Sequence, residues 1–489
     1  MHIEFVDQTL RDGQQSHWGM RMRAYEAAEA LPHLARTGFR VVDLTGAGMF
    51  TVLLREYADD PWATTDFLVD GLRGNELRSG LRTISVIGFA HTPECIIDLW
   101  AQTLIKHGVT SFWLYDCLFD LPTMRRLSDV ITAAGGTAVP AVMYGLTSVH
   151  DDTFFAAKAK EMASWPGTQT LYVEDAAGVL KPERAATLLP AIRDATGDIP
   201  LELHCHATTG LAQHNYIEGM KAGFTWLHTA TRPLANGVSL PSTESMATVV
   251  ESLGHTHSLD TSRFAPVAEN FARAAEAEGR PLGTVAEYDP RVYDHQVPGG
   301  MMGTLRNQLA THGMTDRLPQ VLEEIPRVRR ELGEPIMATP FSQFVGIQAV
   351  LNVVTGDRYS MVPDEVVHYV LEHYGPLAAP ADPDVRDRVL SSPRARQLTE
   401  WERPTPSLAE VRSHYAPGMS DEELLLRYMT SDEEVDRMQA AGPIRTDPRW
   451  AASTIVSELE DLIAERPGLS SVSVSRPGLR IDLNRRTAR

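Results

Sequence analysis

The sequence is poor in the features that mark secreted, membrane-embedded or nucleic-acid-binding chains. Cysteine is scarce: three in 489 residues (Cys95, Cys117, Cys205), too few for a disulfide framework and in keeping with a reducing compartment. Nowhere do 18 apolar residues run together, so no membrane span is expected. The opening stretch MHIEFVDQTLRDG has neither a basic segment nor an apolar core of the kind a secretory leader needs, and the expected location is cytoplasmic. Positive charge is also short, with 45 Lys+Arg against 64 Asp+Glu for a net charge of −19, which argues against nucleic acid or an anionic membrane surface as partner. Internal repeats and low-complexity tracts are missing as well. What remains is 43% hydrophobic and 22% charged, ample for a packed core and, at roughly 150 residues per domain, for about three domains.

Up to about residue 235, short apolar runs alternate with helical patterns. Strands are expected at 2–10, 39–46, 82–89, 110–117, 137–145, 169–176, 200–208 and 224–230. Helices are expected between them at Met22–Thr37, Pro93–His107, Pro122–Ala134, Thr153–Trp165, Pro182–Thr196 and Leu211–Ala222. Runs rich in β-branched residues and apolar on both faces suit parallel strands covered by helices, and eight of them predict a (β/α)8 TIM barrel. Polar residues fall where these strands end, at Arg11–Asp12, Asp43, Asp116, Glu174–Asp175, His204 and His206, and a barrel keeps its chemistry at that rim. The first domain is taken as 1–264. Longer amphipathic helices then predict a mostly helical domain over 265–445, with a Pro/Ala-rich connector at Pro376–Val385. A tail over 446–489 is read as a helix, Ser453–Glu465, followed by a hairpin in SSVSVSR and GLRIDLNR.

His204 and His206 are two apart on an expected strand, so their side chains share one side of it. With Asp12 beyond the first strand and Glu174 near the end of the neighbouring sixth, they form a nitrogen–oxygen donor set suited to Zn, Mn or Co. A divalent ion there would polarise an oxo group and stabilise an enolate. Seventeen histidines also produce an H-x-H pair by chance, so the weight rests on Asp12 and Glu174 falling at the same rim. Cys205 points the other way and is expected in the core. Arg11 is either a strand-end ion pair or a cation placed to stabilise an enolate oxygen, and Gln15 either a donor to that oxygen or a loop cap.

These residues lie in motifs that resemble the biotin-dependent carboxyltransferases, a family that includes pyruvate carboxylase, the oxaloacetate decarboxylase α chain and the carboxyltransferase subunit of transcarboxylase. DQTLRDGQQS (7–16), VVDLTGAGMF (41–50), LREYADDPW (54–62), VEDAAGVLKP (173–182) and LHCHATTGLA (203–212) match in order, as do DHQVPGGMMGTLRNQL (294–309) and TPFSQFVGIQAVLNVVTGDRY (339–359). The resemblance implies a metal-centred barrel that moves CO2 between carboxybiotin and a 2-oxo acid such as pyruvate. It implies that Asp12, His204 and His206 bind the metal, that Arg11 and Gln15 contact the oxo acid, and that Thr339 shuttles a proton from the second domain.

The departures carry as much information. The family's carbamylated metal-binding lysine is replaced by Glu174, and the biotin-contacting lysine of T-P-S-S-K by Gln343, with Ser342 kept. Trp113 and Phe119 replace polar groups near the mouth, and no biotinyl motif occurs, so no biotin is expected to be attached to this chain. Arg82 is expected at the start of its strand, at the wrong end of the barrel for a site residue. The leading expectation is therefore a biotin-independent decarboxylase of oxaloacetate or a related acid. The alternatives are a pyruvate carboxyltransferase subunit served by a separate biotin-carrier protein, and an aldol-type lyase or synthase. By family analogy a homodimer is expected.

Overall fold

A computed structural model describes residues 1–447 apart from 87, 89 and 312, together with 471–476 and 479–484. Eight parallel strands close a barrel in sequence order: β1 Glu4–Asp7, β2 Val41–Thr45, β3 Glu76–Arg82, β4 Ser111–Tyr115, β5 Thr137–Met143, β6 Leu171–Asp175, β7 Leu201–Cys205 and β8 Trp226–Thr229. Seven coincide with expected strands, and the (β/α)8 barrel is as the alternation predicts.

The exception is β3, which runs over ELRSGLR rather than over RTISVIGF at 82–89. This strand is polar because it carries a charge into the barrel. Arg78, 1% exposed, reaches Glu202 on β7 with Nη1 2.5 Å from Oε2. The apolar run that looked like a strand follows β3 instead, with Ile84 and Val86 buried in the loop. Arg82 consequently ends its strand instead of starting it.

Side chains alternate in and out along each strand. The inward series is Arg78, Gly80 and Arg82 on β3, Ser111, Trp113 and Tyr115 on β4, Tyr172 and Glu174 on β6, and Glu202 and His204 on β7. Arg78 Nε donates to Ser111 Oγ at 3.1 Å, and Glu174 is the register partner of His204. The barrel's interior is thus polar below and holds aromatic rings above, with Arg82, Glu174 and His204 toward its carboxyl end.

The expected helices at 93–107, 122–134, 153–165, 182–196 and 211–222 are found as Glu94–Lys106, Leu121–Ala133, Asp152–Ala163, Pro182–Thr196 and Ala212–Lys221. The expected Met22–Thr37 helix is instead two short ones, Ala24–Ala27 and Leu31–Leu34. Pro32 sits in the first turn of the second, where a missing N–H costs nothing; inside one long helix it would cost a hydrogen bond. From Phe264 to Ala441 the described elements are all helical. The connector read at Pro376–Val385 ends in a helix, Pro383–Leu390, capped by Asp382. The expected helix Ser453–Glu465 lies outside the described residues, while β9 (Ser471–Arg476) and β10 (Leu479–Asn484) pair antiparallel as the expected hairpin. Among the described residues, no helix is long and apolar enough to cross a membrane.

Candidate metal centre and active site

At the carboxyl end of the barrel, one cavity of about 580 Å³ is lined by Arg11, Asp12, Gln15, Glu174 and His206 from the barrel and by Thr339, Ser342 and Gln343 from the helical region. Thr339 precedes, and Ser342 and Gln343 belong to, the helix Phe341–Thr355, whose first turn meets the barrel mouth. Arg82 also lines this cavity, which corrects the expectation that it faces the far end. Its Nη2 donates to the Val86 carbonyl at 3.1 Å, and Nη1 is buried with no hydrogen-bond partner.

One oxygen of Asp12 and one nitrogen each of His204 and His206 lie within 4.8 Å of one another, all three residues buried. Asp12 Oδ2 is 3.3 Å from His206 Nε2 and 3.9 Å from His204 Nε2. The remaining ring nitrogens are held from behind: His206 Nδ1 is 2.7 Å from the Val238 carbonyl oxygen, and His204 Nδ1 is 2.8 Å from the Tyr172 hydroxyl. With its other side engaged, His204 presents a buried Nε2 that has no hydrogen-bond partner. Such an orphaned imidazole nitrogen facing a carboxylate fits a divalent ion, and a donor set of one oxygen and two nitrogens suits it. Glu174 shares the cavity but lies outside the convergent set, and its Oε2 is likewise buried without a partner.

Electrostatics separate these groups. Burial works to raise the Asp12 carboxyl, but His206 and Arg11 outweigh it and hold it below the usual carboxylate range. Burial dominates at Glu174, which is pushed up to about 7 even with Arg11 opposing. Burial also drives His204 well below its ordinary value, so that it stays neutral and able to ligate. Ser16, which the sequence did not single out, donates from Oγ to Asp12 Oδ1 at 3.1 Å.

Arg11 is 5% exposed and spans two carboxylates, Nη1 to Asp12 Oδ2 at 3.0 Å and Nε to Asp43 Oδ2 at 3.2 Å, while Nη2 has no partner. Asp43, legible in the sequence only as a polar strand end, is therefore part of the site. Two other strand-end acids are structural. Asp116 accepts from Thr83 Oγ1 and the Leu118 N–H, and Asp175 from the Val179 and Leu180 N–H groups. Cys205 is fully buried with its thiol beside Asp175, as expected of a core residue. Phe119 packs in an aromatic group with Phe154 and Phe155 and is not among the residues lining the cavity.

Fold and centre together define a (β/α)8 barrel with a buried carboxylate–imidazole site fit for a divalent ion. Two family models match, a conserved carboxylase domain over residues 292–435 and an HMGL-like domain over 124–270. A pyruvate carboxylase subunit of Methanocaldococcus jannaschii is 32% identical over 389 residues, spanning 79% of this chain and 68% of that protein. The 2-oxoglutarate carboxylase large subunit of Hydrogenobacter thermophilus is 29% identical over 435 residues, 87% of this chain and 66% of that one. The carboxyl transferase domain of Rhizobium etli pyruvate carboxylase, solved with pyruvate, superposes with a TM-score of 0.81 at 22% identity over 98% of this chain and 83% of that one. The chain belongs to the biotin-dependent carboxyltransferase family.

Proposed function

We propose that this chain is the carboxyltransferase subunit of a multi-chain carboxylase, moving a carboxyl group between carboxybiotin on a separate carrier protein and the carbon beside the oxo group of a small 2-oxo acid such as pyruvate. The observation that carries this reading is the convergence of Asp12, His204 and His206 below Arg11, in a cavity that Thr339, Ser342 and Gln343 enter from the helical region. The Methanocaldococcus and Hydrogenobacter relatives are both subunits by name, which favours a multi-chain enzyme. A cytosolic homodimer belongs to the same reading.

Asp12, His204 and His206 would hold Zn, Mn or Co, with Glu174 as a fourth ligand directly or through water. That ion would supply polarisation of the substrate's oxo group. The Arg11 guanidinium donates toward the same oxygen as its charge grows, and Gln15 orients the acid. Thr339 carries the proton between the substrate's methyl carbon and the ureido nitrogen of biotin while the carboxyl group passes the other way. Ser342 and Gln343 face the biotin ring. Arg82, which also lines the cavity, meets the substrate carboxylate.

Purified protein supplied with oxaloacetate should release pyruvate faster when free biotin or a biotinylated carrier is added, and avidin should remove the gain. A second reading, biotin-independent decarboxylation, is favoured by Gln343 standing where the family's biotin-contacting lysine would be. Rapid turnover that neither biotin nor avidin alters would select it.

A further inference from the structure

Three aromatic rings lie face to face inside the barrel, below its mouth. Trp113 is stacked on Tyr115 at 4.9 Å and 17° and on Tyr172 at 5.4 Å and 23°. The strand partner of Trp113 on β3 is Gly80, and a Cβ there would come within 2.4 Å of the indole, so glycine is what lets the ring lie inward. The indole is not a passive filler of that space. Its Nε1–H donates to Asp43 Oδ2 at 3.0 Å, the same oxygen that receives Arg11 Nε, and the Arg11 guanidinium carbon stands 5.1 Å from the centre of the indole ring.

Arg11 is thus held on two sides by one residue, through the ring against its flat face and through a shared carboxylate at its edge. Both contacts are buried, where a charge-assisted bond and a cation–π contact are strongest. Without the indole N–H, Asp43 Oδ2 loses its second donor and is free to draw the guanidinium toward itself and away from Asp12. The place of the guanidinium beside Asp12 at the cavity wall would change with it.

We propose that Trp113 is a positioning residue that fixes the Arg11 guanidinium beside Asp12 at the cavity wall, where it meets the oxo-acid oxygen. This rests on the reading of Arg11 as a substrate contact. A ring that merely filled the barrel would need no N–H, and its loss would act whatever stood at position 11.

The test is a double-mutant cycle read as oxalate binding by calorimetry, on the full chain loaded with manganese. R11K and W113F should each weaken oxalate about tenfold, and W113F added to R11K should weaken it less than about twofold further, the non-additivity of groups acting as a unit. W113Y, which keeps an aromatic face but lacks the indole N–H, should behave as W113F and serves if that variant does not fold. R11K without effect overturns the reading of Arg11 itself, and the proposal falls with it. R11K weakened but W113F and W113Y unchanged overturns the positioning role alone, as does an equal W113F loss in both backgrounds.

Discussion

The hydroxyl of Tyr172 stands 2.8 Å from Nδ1 of His204 and so turns the other ring nitrogen, Nε2, toward Asp12. Partners behind a metal-binding histidine fix its tautomer and raise its affinity for the ion. Y172F should therefore weaken zinc binding roughly tenfold, read by competition with a chromophoric chelator, and leave far-ultraviolet circular dichroism unaltered. Wild-type affinity in Y172F would show that the hydroxyl plays no part.

Glu174 carries a buried, unpartnered oxygen beside the centre and is pushed up to about 7 chiefly by burial. If it ligates, E174Q should lose metal affinity at neutral pH by about tenfold, within the range that a lost ligand or its support commands. E174K should recover binding only when bicarbonate is supplied, as a carbamylated lysine would. Affinity in E174Q equal to wild type would remove Glu174 from the centre.

Arg78 and Glu202 form an ion pair whose side chains are 1% and 0% exposed. Thr170 and His228 also bond Glu202, so removing Arg78 leaves a buried charge with neutral partners. R78M should cost about 3–5 kcal/mol in urea denaturation, as broken buried pairs do. R73A, which removes the pair with Asp70 whose side chains are 81% and 71% exposed, should leave the midpoint unchanged.

Two buried histidines should make the fold less stable in mild acid than it would be without them. Burial pushes His150 and His91 down to about 4, so between their ordinary value of 6.5 and 4 the unfolded chain binds protons that the folded chain does not. Their contribution is nil above 6.5, turns unfavourable as pH drops through that window and levels off below 4, while Asp7, Glu26 and Glu174, pushed up to about 7, act in the opposite direction. The melting temperature of the wild type relative to H150N should therefore fall as pH drops through that window. An identical slope in H150N would contradict the assignment.

Most of the barrel was legible because its strands are apolar runs and its helices begin at capping or proline residues. Asp12, His204 and His206 were legible because strand parity places an H-x-H pair on one side and strand order brings the first and seventh strands to one rim. β3 was not, because its reason for existing is remote. Arg78 is tolerable inside the barrel only with Glu202, 124 residues later. Arg82 was misplaced along with it. Asp43 and Trp113 escaped for the same reason, since their meaning lies in a contact with Arg11 that no spacing encodes. Local polarity at strand ends did not separate Asp43, which serves the site, from Asp116 and Asp175, which tie down loops.

The central claim is a divalent ion held by Asp12, His204 and His206, and anomalous diffraction from crystals grown with zinc or manganese addresses it most directly. Maps collected on either side of the metal's absorption edge should show one strong peak bonded to those three side chains in the wild type, and no peak there in H204A. A wild-type map with no peak among them, or with its only peak elsewhere, would contradict it.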